Sequence, residues 1–178
     1  MQVSHRRAED KYKNIRSIAH EITMEELPYQ DKMAIALTDI NVVALNAISS
    51  AKERGVDWDW NFGIRSYRKR YPNRFELAIW YNSTVCGLSL GRPSYHGSRV
   101  RLDFIERVPG TNNPLVGRVT PIAVTAYEVY ARLIDAKQVR IISPAEALID
   151  YYTSLNYVFV KGSGSQANPS YLYKSLES

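Results

Sequence analysis

The sequence predicts a mixed α/β (α+β) domain in which a largely antiparallel sheet is covered by helices on both faces. First, residues 75–81 and 84–91 are rich in β-forming residues and are separated by Asn82 and Ser83, the pattern of a hairpin. Second, strand-like and helix-like segments alternate in the later half, which indicates crossover connections. No repeat or Pro/Gly/Ser-rich linker divides the chain. We therefore expect one domain over residues 28–178.

The first third of the chain is predicted to be helical. Residues 1–27 form a polar helical arm, which Pro28 interrupts. From about residue 30 to residue 54, apolar side chains recur near helical spacing, at Met33, Ile35, Leu37, Ile40, Val43, Leu45 and Ile48. This pattern predicts a long, largely buried helix with Gly55 at its C-terminal cap. Residues 57–63 are predicted to be an irregular or turn segment.

The remaining elements are predicted from turn-forming residues and from the spacing of apolar residues. Residues 99–108 alternate strongly and predict a third strand, and the proline-, glycine- and asparagine-containing residues 109–114 predict a loop. A helix over about 115–136, a strand over 138–143 and a helix from Pro144 to about Leu155 come next. Residues 157–160 and 170–176 predict a final hairpin. The predicted order is helix, helix, three strands, helix, strand, helix, two strands.

Composition excludes several classes of protein. The 178 residues are 45% hydrophobic and 23% charged, which is ordinary for a globular protein. No run of 18 apolar residues is present, so we expect no membrane span, and the N-terminus lacks the apolar run of a secretory signal. With Cys86 as the only cysteine, no internal disulfide can form. These features predict a cytoplasmic protein.

Metal and nucleotide motifs are missing from the sequence. His5, His20 and His96 are far apart, so we expect no metal site. Cys86, inside a predicted strand, is expected to be a small buried hydrophobe rather than a nucleophile. No P-loop motif occurs.

A basic segment runs from Arg65 to Arg74. The chain has 23 basic and 18 acidic residues, a net charge of +5, and this segment concentrates the excess. Its basic residues, interleaved with two tyrosines and without an acid, are Arg65, Arg68, Lys69, Arg70 and Arg74. Such a segment is typical of a surface that contacts phosphates or an acidic partner. It is also compatible with a solvated helix face whose arginine stems pack on the fold, the more common case for a run of charges.

The junction between the third strand and the following helix is a candidate anion site. A helix N-terminus offers unpaired backbone N–H groups and a partial positive charge. Gly117 would let the chain approach a ligand closely, and Arg118 adds a cation. Together these features suit a pyrophosphate, although many such loops bind nothing.

Residues 145–160 show a second pattern, in which a helix ends and a strand begins. Tyr152, Leu155, Asn156 and Tyr157 stand where the GNAT acyltransferase signature has a tyrosine, a leucine, a glycine and a phenylalanine. Asparagine tolerates the left-handed backbone that a helix C-cap requires, so Asn156 is a mild departure. The sequence resembles a divergent member of the GNAT superfamily over roughly residues 30–178.

The resemblance implies an acyl-coenzyme A co-substrate, most simply acetyl-CoA. The GNAT coenzyme A loop is represented by residues 114–119, of which only Gly117 keeps the family pattern. By matching position, the thioester and pantetheine would lie at the splayed end of the third strand, and the pyrophosphate would face the amides of residues 115–119. The implied cofactor-binding residues are Phe104, Ile105, Arg107, Leu115, Val116, Gly117, Arg118 and Val119.

The resemblance also implies catalytic roles. An amine acceptor would attack the thioester directly, and Tyr152 would protonate the departing thiolate, because a phenol has a higher pKa than a thiol. Glu106 is the first candidate for the base and Asp103 the next, although either could be an ordinary ion-pair residue. Trp58 and Trp60 either line an acceptor pocket, with Asp103, or close one end of the core.

Two functions stay open at this point. The first is an N-acyltransferase that acts on an unidentified amine. The second is a catalytically inactive GNAT-fold module that binds nucleic acid or an acidic partner through the Arg65–Arg74 segment, as the imperfect coenzyme A loop allows. The fold is compatible with both functions, whereas binding of acetyl-CoA would distinguish the first from the second.

Overall fold

The computed structural model describes residues 2–110 and 112–176. Of the residues covered by the predictions above, Met1, Thr111, Glu177 and Ser178 lie outside this range. The helices are α1 (Gln2–Glu26), α2 (Val42–Ser50), α3 (Trp60–Arg70), α4 (Val119–Leu133) and α5 (Ile149–Ser154). The strands are β1 (Ile35–Thr38), β2 (Phe75–Tyr81), β3 (Thr84–Pro93), β4 (Arg99–Arg107), β5 (Gln138–Ile142), β6 (Val158–Val160) and β7 (Tyr171–Ser175).

The strands form one mixed sheet with the order β1-β2-β3-β4-β5-β7-β6. Only the central pair β4–β5 is parallel, and α4 makes the crossover between these two strands. All other neighbouring strands are antiparallel. The prediction of a largely antiparallel mixed sheet is confirmed.

Helices cover both faces of the sheet, as predicted. On one face, α1, α4 and α5 bury a core that includes Ala19, Phe75 and Tyr152. On the other face, α2 and α3 bury a second core that includes Ile48 and Ile64. The second core takes its strand residues from β2 and β3, with Phe104 of β4 packed against it, and no residue of β5, β6 or β7 is among its described members.

The prediction of one long helix over residues 30–54 is wrong. The segment contains a single 3₁₀ turn at Lys32–Ala34, the strand β1 and the shorter helix α2. Its first apolar residues alternate with period two, which suits a strand, and only the later ones have helical spacing. Asn41 starts α2 by accepting a hydrogen bond from the Ala44 amide at 2.9 Å. The helix ends at Ser50, so Gly55 is not its cap.

Residues 57–63, predicted to be irregular, contain the start of α3. The Asp59 side chain caps this helix by accepting a hydrogen bond from the Phe62 amide at 2.9 Å. The basic segment therefore lies on α3 and the turn after it. The later helices were predicted in the right places, but both are shorter, because turns at residues 115–118 and a 3₁₀ turn at Glu146–Leu148 precede them.

The helix α1 is joined to the sheet by a charge network. Arg16, only 1% exposed, donates hydrogen bonds to Glu9 and to Asp39. Arg74 donates to Glu9 and also to the fully buried Glu76. The alternating charges allow these groups to be buried, since each carboxylate has an arginine partner.

A β-bulge in β4 positions the candidate site. Leu90 pairs with Phe104 but Gly91 pairs with Leu102, so Asp103 is the extra residue. A bulge changes the side-chain alternation of its strand. Leu102 accordingly belongs to the core beneath α4, whereas Phe104 packs against the core beneath α3. Asp103 and Phe104 both contact Tyr67 on α3, so the bulge turns β4 toward that helix.

Candidate active site

The sheet opens where β4 and β5 separate. Their pairing ends at Leu102 and Ile141, yet β4 continues to Arg107. The amide of Val108 donates to Cys86 on the β3 side, so strand alternation turns the backbone groups of Arg107, and of Ile105 before it, toward the open edge. A cleft of about 810 Å³ lies at this opening, between β4 and the segment from Ile141 to Tyr152.

The turns before α4 leave selected amides without a protein partner. The Leu115 amide donates to the Asn113 side chain, and the amides of Val116 and Arg118 donate to backbone carbonyls of the same turns. Within the described ranges, no acceptor is found for the amides of Gly117, Val119 and Thr120. The predicted set of free amides at residues 115–119 is therefore reduced to Gly117 and Val119, and Thr120 is added.

The conformation of Gly117 and the packing of Val119 keep this end of α4 open. Gly117 has φ +78°, which favours glycine, and a Cβ at this residue would have no atom within 4 Å. The Val119 side chain is 2% exposed and packs against Gly87, where an added Cβ would overlap it. The branched side chain of Val119 is thus turned into the core and does not cover the amides.

The guanidinium of Arg118 already has partners on the segment that follows α1. Its Nη1 lies 2.8 Å from Asp31 Oδ1, and the guanidinium lies over the Tyr29 ring at 4.7 Å. Both charged side chains are more than one-third exposed, so the ion pair is weak and solvent-screened. Arg118 can therefore turn toward an anion at low cost.

Tyr152 lies at the wall of the cleft. It is 1% exposed, and its ring packs against Tyr151 and Tyr157. Burial, with a smaller contribution from Tyr151, raises the pKa of Tyr152 to about 12. A phenol with this pKa keeps its proton at neutral pH and can donate it.

Glu106 is held by two neighbours. Its Oε1 accepts from Arg54 Nε at 2.7 Å, and its Oε2 accepts from Arg54 Nη2 at 2.7 Å and from Trp60 Nε1 at 2.6 Å. The Glu106 side chain is 5% exposed and the Arg54 side chain 20%. These three donors occupy both oxygens of a carboxylate that was predicted to accept the proton of an amine.

Asp103 is held by Arg101 and Tyr67. Its Oδ1 accepts from Arg101 Nε and Nη2 at 2.9 and 2.7 Å, and its Oδ2 accepts from the Tyr67 hydroxyl at 2.8 Å. Asp103 and Glu106 both line the cleft, together with Tyr152. Neither Tyr67 nor Arg101 was predicted for this site from the sequence. The sequence shows Tyr67 among the basic residues of α3, but no short pattern indicates that its partner is Asp103 on β4.

The two tryptophans have different positions. Trp60 is 4% exposed and turned inward, where it donates to Glu106. Trp58 is half-buried, lines the cleft, and packs edge-on against Phe104 with ring centroids 5.2 Å apart. A smaller cavity of about 260 Å³ lies beside both rings, against Gly63 and Tyr67 of α3. The Phe104 side chain thus belongs to an aromatic wall.

The basic segment is only partly free. Arg68 and Arg74 both donate to the buried Glu76, and Arg74 is 3% exposed. The exposed cations of the segment that remain for a partner are Arg65, Lys69 and Arg70. The interpretation as arginine stems packed on the fold thus applies to Arg74, and a partner-binding role is reduced to the outer face of α3.

Two features are absent from the described ranges, a membrane-spanning helix and a metal-binding cluster. No helix there is both long enough and apolar enough to cross a bilayer. No group of three His, Cys, Asp or Glu side chains in those ranges could hold a metal ion. Cys86 is a buried free thiol, and burial raises its pKa.

Comparison with known proteins identifies the fold. No protein-family model and no curated protein matches the sequence. Among solved structures, Ard1 from Thermoplasma volcanium is similar with a TM-score of 0.60 and 12% identity, over 82% of this chain and 99% of its own. The chain has the GNAT fold. An acetyltransferase from Thermus thermophilus is similar at TM-score 0.58 and 11% identity, over 80% of this chain and 97% of its own.

A third similar GNAT structure is YncA from Salmonella typhimurium, which was solved with its cofactor acetyl-CoA. It has a TM-score of 0.55 and 14% identity, over 81% of this chain and 95% of its own. The resemblance predicted from residues 145–160 is thus confirmed as a divergent GNAT fold. At Asn156 the structure has φ +67°, the left-handed backbone in which the GNAT signature has glycine.

Proposed function

We propose that this protein is an acyl-CoA-dependent N-acyltransferase, most simply an acetyltransferase, that transfers the acyl group directly to an amine. The observation that supports this most is the opening between β4 and β5, with Tyr152 in its wall and Arg107 on its open edge. An opening in a sheet exposes backbone groups that an extended ligand can pair with, as an added strand does.

The ligand would be bound mainly by backbone. In this proposal, the pantetheine amides pair with the open edge of β4 at Ile105 and Arg107. The pyrophosphate accepts hydrogen bonds from the amides of Gly117, Val119 and Thr120, where the dipole of α4 also favours negative charge. The acetyl-CoA bound in the similar YncA structure supports the choice of ligand.

The reaction requires one proton to be accepted and one to be donated. The neutral amine attacks the thioester carbonyl, the C–N bond forms, and the tetrahedral intermediate then breaks its C–S bond. Tyr152 donates its proton to the leaving thiolate, which its raised pKa permits across the neutral range. A base or water accepts the proton that the amine loses, and a proton from solvent then returns the Tyr152 phenolate to the phenol.

Asp103 becomes the preferred base, ahead of Glu106. Both carboxylates accept hydrogen bonds at both oxygens, but the donors to Glu106 are Arg54 and Trp60, whose side chains cannot accept a proton in turn, so that carboxylate acts as a positioning group. Asp103 is linked through Oδ2 to the Tyr67 hydroxyl, and a hydroxyl oxygen can itself accept an N–H from an amine. The pH–rate profiles of Asp103→Asn and Glu106→Gln separate these roles, because only loss of the base removes the acid limb.

Isothermal titration with acetyl-CoA tests the proposal. We expect saturable binding to the unaltered protein and at least tenfold weaker binding to Gly117→Asp, since the new carboxylate would stand beside the amides that face the pyrophosphate. Gly97→Asp is the matched control. Gly97 also has a positive φ, +71°, and open space around an added Cβ, but it precedes the opposite end of β4.

The competing function, an inactive nucleic-acid- or acidic-partner-binding module, predicts a different result. Acetyl-CoA would then not bind, and an RNA or DNA oligonucleotide would be retained in a salt-dependent way through Arg65, Lys69 and Arg70. That combination would replace the acyltransferase proposal.

A further inference from the structure

Three arginines stand directly opposite one another on neighbouring strands. The sheet register pairs Arg92 on β3 with Arg101 on β4, and Arg101 with Arg140 on β5. Neighbouring strands of a sheet lie about 5 Å apart, and like charges directly opposite one another are destabilising. The row therefore lowers the stability of the sheet unless an anion offsets its charge.

Only one carboxylate offsets this charge in the described part of the chain. Arg101 is paired with Asp103 at 2.7 Å. Arg92 and Arg140 instead lie over the rings of Tyr71 and Tyr171, at 4.5 and 4.3 Å. Burial, followed by the charge of nearby Arg99, lowers the pKa of Arg140. The aromatic rings hold the two outer guanidinium groups in place without neutralising them.

The row borders a groove of about 420 Å³ on the side of the sheet opposite α4, since the residues that flank Arg101 and Arg140 belong to the core beneath α4. Arg92, Arg99 and Arg140 line it, and Ser94 and Asn168 add polar groups. No acid is among its described lining residues. Arg101 lines both this arginine groove and the cleft that contains Asp103 and Tyr152, so the two spaces adjoin.

We propose that the amine acceptor is a small molecule that also bears a phosphate monoester, and that the arginine groove binds this phosphate. The inference rests on the proposed acyltransferase function. A phosphate monoester has a charge of about −1.5 to −2 and three acceptor oxygens, which suits several neighbouring arginines better than a single carboxylate does. The groove volume falls within the usual range of small-molecule sites, about 300–1,000 Å³.

Calorimetric titration with O-phosphoethanolamine, and with ethanolamine as the phosphate-free control, tests the inference. The titrations are made with saturating coenzyme A, so that the phosphate of O-phosphoethanolamine cannot bind to the free amides at the start of α4. We expect O-phosphoethanolamine to bind at least tenfold more tightly than ethanolamine, and Arg140→Gln to remove this preference. Arg7→Gln, an exposed arginine on α1, makes the same charge change away from the groove and should bind normally.

The melting temperature distinguishes a variant that has lost phosphate binding from a variant that no longer folds. Because Arg140→Gln removes a like charge from the row, its melting temperature should equal or exceed that of the unaltered protein. Equal binding of the two amines, or retention of the preference in Arg140→Gln, would overturn the inference. Binding of a single-stranded RNA oligonucleotide through Arg140, with no competition from O-phosphoethanolamine, would also overturn it in favour of nucleic acid.

The proposed acyltransferase function can be disproved independently of the phosphate inference. Mass spectrometry of the reaction with acetyl-CoA should show N-acetylated O-phosphoethanolamine. Normal binding of acetyl-CoA together with no phosphate preference would remove only the phosphate inference. Phosphate binding by a protein that does not bind acetyl-CoA would remove the acyltransferase, and with it the assignment of the groove to an acceptor.

Discussion

The hydroxyl of Tyr67 donates a 2.8 Å hydrogen bond to Asp103 Oδ2 and so joins α3 to the bulge of β4. The bulge makes the contact possible, because it turns Asp103 and Phe104 toward the same helix. Tyr67 and Asp103 both line the cleft, so the hydroxyl links this space to the carboxylate that we propose as the base.

The first prediction concerns Tyr67→Phe. Loss of the hydroxyl removes the group that links an amine in the cleft to Asp103, so kcat should fall by about 10²-fold, the usual contribution of a general base. Tyr71→Phe, which removes a hydroxyl from the adjacent ring, should keep most of the activity. Unchanged turnover in Tyr67→Phe, measured by steady-state kinetics, would exclude a proton path through Tyr67 to Asp103.

The second prediction concerns Tyr152→Phe. Removal of the phenol should lower kcat by about 10²-fold or more, the usual contribution of a general acid, and leave the Kd for acetyl-CoA unchanged. Tyr151→Phe is the matched control on the same helix, and we expect it to keep most of the activity. Kinetics provide the value of kcat, and calorimetry provides the Kd for acetyl-CoA. Unchanged turnover in Tyr152→Phe would remove this residue from the mechanism.

The third prediction concerns the pair of Arg54 and Glu106. Arg54→Met leaves a buried carboxylate without its charged partner, which should lower the free energy of unfolding by about 2–3 kcal/mol, a value reduced for the exposure of Arg54. The double variant with Glu106→Gln should lose less than the sum of the single losses. Urea denaturation measures all four proteins. Strict additivity would show that the two side chains do not interact in solution.

The fourth prediction is a stability change with pH that arises from His20. Burial lowers the pKa of His20 to about 4, from an ordinary value of 6.5, and its Nε2 has no partner in the described ranges. The unfolded chain therefore binds a proton that the folded chain does not between pH 6.5 and pH 4. The stability from neutral His20 is complete above pH 6.5 and decreases as the pH falls toward 4.

The measurement for His20 is urea denaturation at pH 7 and pH 4.5, on the unaltered protein and on His20→Leu. The loss of stability toward acid should be smaller in the variant by about 2–3 kcal/mol. The comparison is needed because Glu9 and Glu76, whose pKa values are lowered, also take up protons at the acid end. An identical acid-induced loss in both proteins would show that His20 titrates normally.

Local pattern was enough to predict most of the sheet. The hairpin of β2 and β3 and the strand β4 follow from β-forming residues and a two-residue turn. The strand β1 was missed because its four residues continue without a break into the apolar pattern of α2. The side chain of Asn41, which separates the two elements, is a boundary signal that could have located them.

The site was predictable where it depends on neighbours in sequence. Tyr152 and Gly117 follow from spacing along one helix and one loop. The partners of Asp103 and Glu106 do not, since Tyr67 and Arg54 are 36 and 52 residues away and meet them only after the sheet has formed. A bulge depends on strand register, which no short pattern specifies.

The most direct test of the account is amide NMR of the ¹⁵N-labelled protein during titration with acetyl-CoA. We expect saturable shifts at Gly117, Val119 and Thr120 and at the open edge of β4, at Ile105 and Arg107, with Gly97 unaffected. Saturable binding that leaves these amides unmoved, or no binding at millimolar acetyl-CoA, would contradict the acyltransferase assignment.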